Sequence, residues 1–401
     1  MTVKRLSVLS LLAGASLFAD FDYTVTNTNF TIDQATAFPA QYSAEFPDFS
    51  FEEEYLYNYD RLRLDGTLTH AGFYATVIAD FVNYYGESYV NSIDFSYIEL
   101  LNPDVPFKTR TTFHDYDTGT WYAKLHRLYG GYEDGRQRIT LGLQKITMGV
   151  GRIWTPTDLF NPKNSFALEP DEVFGVLALV YAYSPSQLST LRAVVSMKED
   201  RSYKYAASYK AFLEGVDAGV NVIRSGETTM VGYELEGDLF DTGAEWRSEG
   251  GYFKNSTACR SDIIACTQDE LKSEFFQAIA GFDYGFVNGV TWALEGYYSS
   301  ETFSYEEIIR YYDSEILSNM VQSDFYLGTT LIYDFNLFLG GSLMYIESFG
   351  SDNSRFVSPS LTYTFNDNNV FSLGAMINSG SSQSEFGAFG NTYFFKWQLS
   401  F

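Results

Sequence analysis

The 401 residues carry 51 Asp and Glu against 26 Lys and Arg, for a formal net charge of -25, and 18% of the chain is aromatic. That aromatic share excludes a disordered chain, and the acidic balance excludes phosphate-backbone binding as the main role. Three histidines, His70, His114 and His126, give no basis for a His-rich metal site.

Residues 1–19 read as a separate object. Lys4 and Arg5 make a basic start, Leu6 to Leu12 an apolar run, and Ala13 to Ala19 a small-residue stretch before Asp20. This is the pattern of a Sec signal peptide cut after Ala19. A spanning helix needs about 20 apolar residues, so the segment is too short to be an anchor. Removing Lys4 and Arg5 leaves 24 basic against 51 acidic residues, net -27. No cysteine follows the cut, so no lipoprotein anchor is indicated. Residues 20–58 alternate poorly and are rich in Thr, Asn, Phe and acid. They read as an N-terminal plug or a periplasmic segment.

From residue 59 to the end, period-2 alternation dominates. Leu62, Leu64 and Leu68 oppose Arg61, Arg63, Asp65 and Thr67, while Ile139, Leu141 and Leu143 oppose Arg138, Thr140 and Gln144. About 18 such segments can be drawn by this template. They begin with 59–69, 72–83, 91–101, 120–131 and 136–148, resume at 172–183, and end with 389–401. Most exceed the usual globular strand of about 5–6 residues and suit a tilted membrane strand of about 9–11 residues plus its ends. The links alternate between short turns and long loops, among them 102–119, 149–171, 255–270 and 300–320. Outer-membrane barrels alternate in this way, and in hydrocarbon the sheet must close on itself. The fold class predicted is all-β: a transmembrane antiparallel β-barrel over 59–401, of about 18 strands with 16 as the next choice.

The alternation also assigns a lumen face. Arg61, Arg63, Arg136 and Arg138 fall early in the chain, and Glu234, Glu236, Asp238, Glu245 and Arg247 fall in the middle. Facing each other across a lumen, such sets orient polar solutes, or else they fill the wall as ion pairs. Loop 149–171 holds Pro156, Pro162 and Pro170, which restrict its shape. Long loops in compact domains are usually functional, so Arg152, Asp158 and Lys163 are the constriction candidates. Cys259 and Cys266 sit in loop 255–270, where an oxidising compartment permits a local disulfide.

The last strand is the most specific signal. Tyr393, Phe395, Trp397, Leu399 and Phe401 alternate with Lys396, Gln398 and Ser400, and the chain ends on an aromatic. This resembles the C-terminal signal of bacterial outer-membrane proteins, which the barrel-assembly machinery reads. Over residues 59–401 the chain resembles Gram-negative porin-like barrels. The run Gly135-Arg136-Gln137-Arg138-Ile139 and the later Trp154-x-Pro156-x-Asp158-x-x-Asn161-Pro162 are similar to those of one poorly characterised porin branch.

The resemblance implies an integral outer-membrane location amid lipid and lipopolysaccharide, and it allows a homotrimer. It implies passive diffusion of small hydrophilic solutes, and the acidic wall adds a cation preference. The alternatives are a surface-polysaccharide-binding or adhesin barrel without a channel, and a channel for hydrophobic compounds plugged by 20–58. No Gly-x-Ser-x-Gly elbow occurs, so no enzyme is expected, and no cofactor, metal or nucleic-acid partner is expected either.

Overall fold

The computed structural model describes residues 20–36, 52–259, 269–350 and 352–401. The expected signal peptide at 1–19 lies outside them, as do 37–51 and Cys266. Nineteen strands occur among the described residues. The first half holds β1 (Asp20–Ala35), β2 (Glu54–His70), β3 (Phe73–Tyr85), β4 (Arg110–Tyr116), β5 (Gly119–Glu133), β6 (Gln137–Gln144), β7 (Val176–Ser186), β8 (Ser189–Met197), β9 (Tyr203–Leu213) and β10 (Val216–Ser225). The second half holds β11 (Thr228–Asp238), β12 (Ala244–Ala258), β13 (Glu270–Gly285), β14 (Val290–Ser299), β15 (Phe325–Asp334), β16 (Leu339–Phe349), β17 (Ser354–Asn366), β18 (Asn369–Ser379) and β19 (Thr392–Ser400).

Each strand pairs antiparallel with its neighbour. The ring closes where β1 lies between β2 and β19, from Thr26↔Ser400 to Gln34↔Thr392 on the β19 side. The result is a closed 18-strand barrel with one extra strand, β4. β4 and β6 share one edge of β5: β6 pairs with Leu128 to Glu133, and β4 pairs with Gly119 to Lys124. Closure satisfies the backbone groups that an open edge would leave bare in hydrocarbon. Outward positions such as Leu64, Leu141, Val220, Leu361, Leu373 and Phe395 are exposed and apolar, as a lipid-facing surface requires.

The turns on the Phe401 side are short. Glu214 and Gly215 close the β9–β10 hairpin with φ of 50° and 93°. Two positive angles mark the tight turn that matches strand twist. The links at the other end include the long ones 86–118, 145–175 and 300–324, together with short ones such as 226–227 between β10 and β11.

Two expectations are corrected, and they offset each other in the strand count. Segment 91–101 is not a strand; it holds the helix Ile93–Leu100, which Ser92 caps by accepting from the Phe95 N–H at 3.2 Å. Of residues 20–58, expected as a plug or periplasmic segment, 20–35 form β1 and 54–58 open β2 in the barrel wall, while 37–51 lie outside the described residues. The alternation there is inverted, with Asn27, Asn29 and Thr31 outward and Thr28, Phe30 and Ile32 buried inward. Inside the barrel, Phe30 and Ile32 join Tyr55, Tyr57, Tyr89 and Phe95 in an aromatic cluster. The strands flanking the proline-rich loop also stop sooner than expected: β6 ends at Gln144 and β7 begins at Val176, so that loop is 145–175.

Candidate functional site

Alternation on β11, β12 and β14 turns Glu234, Glu249 and Glu295 inward, where they meet the backbone of loop 145–175. Glu249 is fully buried. One of its oxygens accepts from the Val150 N–H at 2.6 Å and the Gly151 N–H at 3.0 Å. The other accepts from the N–H and hydroxyl of Thr157, both at 2.9 Å. Glu295 accepts from the N–H groups of Arg152, Ile153 and Trp154 at 2.8, 3.0 and 2.8 Å. Glu234 accepts from the Gly149 N–H at 2.9 Å. Hydrogen bonds to an ionised acceptor are roughly twice as strong as neutral ones, so three carboxylates hold one limb of the loop. Gly149 has φ 86°, and a Cβ there would lie 2.4 Å from the Glu249 carboxylate. Only glycine permits this approach.

The other limb is held by the opposite side of the ring. Arg61 on β2 donates to both oxygens of Glu169, at 2.8 and 2.9 Å. Arg63 donates to both oxygens of Glu172 at 2.7 Å and also to Asp80 on β3. Lys396 on β19 stands 3.4 Å from Glu169. Burial opposes ionisation of Glu172, but the Arg63 hydrogen bonds and the two guanidinium charges prevail and bring it down to about 2. Strand β2 is remote from β11–β14 around the ring, so the loop crosses the lumen.

Apolar contacts complete the seating. Ile153 packs with Ile346, Phe356 and Phe386. The Trp154 ring lies 5.6 Å from that of Tyr297. Lys204 donates to the Leu159 carbonyl at 2.6 Å and pairs with Glu315 of the 300–324 loop at 2.7 Å.

The Trp-x-Pro-x-Asp-x-x-Asn-Pro run serves the loop itself. Asp158 is buried and accepts from the N–H groups of Met148, Phe160 and Asn161 at 2.9–3.0 Å. The Asn161 side chain accepts from the Ile146 N–H and donates to the Phe174 carbonyl, both at 2.8 Å. Burial raises Asp158 to about 6 in spite of its three donors. Asp158 therefore does not face the pore, which corrects its place among the constriction residues.

The other expected residues fall into three groups. Arg61, Arg63 and Glu234 tether the loop instead of lining an open wall. Arg247 has a fully buried side chain; it donates to both oxygens of Asp283, and Glu236 and Glu245 lie at 3.9 and 4.0 Å. Arg136, Arg138 and Asp238 are exposed near the short-turn rim, where Arg138 donates to the Tyr74 hydroxyl at 3.1 Å.

Arg152 and Lys163 are the expected loop residues that stay exposed. Arg152 reaches Asp283 at 3.2 Å and Glu245 at 3.7 Å. Lys163 borders a recess of about 180 Å³ together with Lys145 and Asp171, and burial lowers its pKa. Cys259 is disulfide-bonded at the end of β12. Residues missed at first are Gln277 and Asn319. Asn319 donates to the Gln277 side chain at 2.8 Å and to the Pro156 carbonyl at 2.9 Å, bracing the loop from the 300–324 side. Nothing in the local sequence around Asn319 marks it out.

No family model matches the chain, and no curated protein matches it. Solved structures do. Pseudomonas aeruginosa OpdK, determined with vanillate, superposes with a TM-score of 0.56 at 10% identity, covering 95% of this chain and 98% of that one. P. aeruginosa OccK8 (OprE) gives the same figures. A BenF-like porin from Pseudomonas fluorescens Pf-5 gives 0.56 and 10% over 95% of this chain and 99% of its own. Across so low an identity the likeness lies in the architecture: the chain has the fold of the outer-membrane porins of this OccK and BenF-like type.

Proposed function

We infer that this protein is an outer-membrane porin in which loop 145–175 forms the constriction and small hydrophilic solutes pass by diffusion. The observation that carries this reading is the double tether. The loop is held on one side by Glu234, Glu249 and Glu295 and on the other by Arg61 and Arg63, so it narrows the lumen to a fixed shape. The stripe of exposed Tyr393, Phe395, Trp397 and Phe401 with half-buried Leu399 faces lipid and fits recognition by the assembly machinery.

The charged side chains that the loop leaves exposed are mostly basic. Glu234, Glu249, Glu295 and Asp158 are occupied by N–H donors, whereas Lys145, Arg152 and Lys163 stay exposed with Asp171 beside them. This level of the pore favours small anions, carboxylates among them. The vanillate in the OpdK structure is one such acid. The second reading is the cation preference expected from the sequence. It keeps a basis in Asp238, exposed nearer the short-turn rim, and in the half-exposed Glu245.

Reversal potentials in planar bilayers under a KCl gradient separate the two. With the basic loop in control, wild type favours chloride and Arg152→Ala/Lys163→Ala moves toward potassium. A cation-selective wild type left unchanged by that variant supports the second reading. Purified barrels that form no channels refute the porin.

A further inference from the structure

The lipid-facing surface of β16 to β18 holds a hollow. Gly341 pairs with Tyr333 and Leu361, Pro359 with Leu343, and Ala375 with Tyr393. Directly opposed residues share a face of the sheet, and all four partners are exposed. Three short side chains therefore stand together on the outer face, among positions that carry Leu, Tyr or Phe. The space over them is about 560 Å³, within the about 300–1,000 Å³ of sites that take small ligands. Leu331, Leu343, Leu361 and Leu373 wall it, and Tyr333 and Phe335 stand at one end. The Ser342 and Ser360 hydroxyls bond each other at 2.8 Å on the lumen side, which leaves the lining apolar.

Pro359 makes the floor. The β17–β18 register stops at Val357↔Ile377 and resumes at Ser360↔Gly374, whereas β16–β17 runs unbroken through Leu343↔Pro359. The Pro359 carbonyl lies on the β18 side, where a Cβ added at Gly374 would be 3.1 Å from it. The nitrogen of the same residue faces the same way and carries no hydrogen, so the ladder is interrupted under the hollow. Proline is rare inside a ladder for this reason. Here it sets a compact ring where a branched or aromatic side chain would project and fill the space.

The hollow opens beside the turn between β15 and β16. This is one of the short turns on the Phe401 side, the periplasmic side of such barrels. The charge at this rim is acidic. Asp334 at the end of β15 and Asp367 in the β17–β18 turn are exposed, and neither has an ion-pair partner among the described residues. No Lys or Arg occurs over 311–354 or 356–395. Arg355 lies at the far end of β17 with Glu347, and Lys396 turns into the lumen toward Glu169.

We propose that the hollow binds one acyl chain of a phospholipid from the periplasmic leaflet, and that the rim carrying Asp334 and Asp367 selects a headgroup with an ammonium. The wall contacts hydrocarbon at this depth, and an unfilled space forfeits the dispersion contacts of every residue lining it. Water gains nothing there, because a buried water needs about 2–4 polar partners. A flexible aliphatic chain fits between the leucines and fills the space. Its ammonium finds opposite charge at the water boundary. The phosphates of lipopolysaccharide and the headgroups of anionic phospholipids meet two carboxylates and no cation.

The test is made on the full-length protein in mild detergent, with phosphatidylethanolamine and phosphatidylglycerol of the same chain length added in equal amounts. Native mass spectrometry of the wild type should show one retained phospholipid per chain, with phosphatidylethanolamine favoured at least fivefold. Pro359→Leu/Ala375→Leu fills the hollow and should lower the retained fraction at least tenfold. Asp334→Asn/Asp367→Asn should keep the lipid and lose the headgroup preference. Heat-modifiable migration on gels confirms that each variant is a closed barrel; if the filled variant is not closed, the wild-type spectrum and the aspartate variant decide alone. A wild type that retains no phospholipid, favours phosphatidylglycerol or carries lipopolysaccharide instead overturns the proposal. So does a closed, filled variant that retains as much lipid as wild type, and so does an aspartate variant whose preference is intact.

Discussion

Glu172→Gln should release the β2-side limb of loop 145–175 at neutral pH. Glu172 is lowered from its ordinary 4.5 to about 2 because Arg63 and Arg61 hold its ionised form. At 1.36 kcal/mol per tenfold change in proton affinity, that fall is worth about 3 kcal/mol. The side chain is 26% exposed, so solvent screening takes only part of this. Because the carboxyl is depressed in the folded state, its contribution is complete above about 4.5 and is lost as pH falls through about 2. The glutamine variant at pH 7 should therefore resemble wild type at pH 2. The limb keeps the Arg61–Glu169 pair, so it loosens without leaving the lumen. Single-channel recording reads this as raised open-channel noise or conductance in the variant, and as the same change in wild type between pH 4.5 and 2. A variant as quiet as wild type at pH 7, with wild-type traces flat over that acid range, would refute the clamp.

Three further outcomes follow from the same geometry. Glu249→Gln keeps an oxygen for Val150 and Gly151 and can donate to the Thr157 hydroxyl, so it loses chiefly the Thr157 N–H bond. One charge-assisted bond is worth about 1.5–3 kcal/mol, and faster proteolysis at Arg152 or Lys163 in a still-closed barrel is the readout. Gly149→Ala drives a methyl group to 2.4 Å from the Glu249 carboxylate at φ 86°. Backbone strain of this kind costs about 1–3 kcal/mol, so altered conductance with heat-modifiable migration retained is expected. Protonation of Glu315, held near 2 against burial by Lys204 and Lys198, should free the 300–324 loop from the same acid threshold of about 4.5 downward. Hydrogen exchange at Leu317 to Met320 measures that release.

Strand number and closure were legible because period-2 alternation depends only on which side of a sheet each residue faces. The signal failed where the environment on the two sides was reversed. Over 27–32 strand β1 carries Phe30 and Ile32 inward, toward Tyr55, Tyr57 and Phe95, and Asn27 and Asn29 outward. A template that seeks apolar residues facing lipid cannot register it. Segment 91–101 failed for the opposite reason. Ile93, Phe95, Tyr97, Leu100 and Leu101 mimic alternation, but Ser92 with Asp94 in the first turn starts a helix, and local capping outweighed the short pattern.

The site was half legible for a related reason. Alternation turned Glu234 and Arg61 inward but was silent on what each would meet. Opposite charges were expected either to face each other across the lumen or to fill the wall as ion pairs. Instead loop 145–175 lies between them, and its backbone N–H groups take up the acids while Glu169 and Glu172 take up the arginines. Main-chain donors are present at every non-proline position, so no residue type announces that a loop will bind carboxylates in this way. This is why counting wall charges could not say which of them the loop would take up. Three carboxylates turned toward the lumen are engaged by amides, and the loop's exposed charges are Lys145, Arg152 and Lys163 with Asp171 beside Lys145.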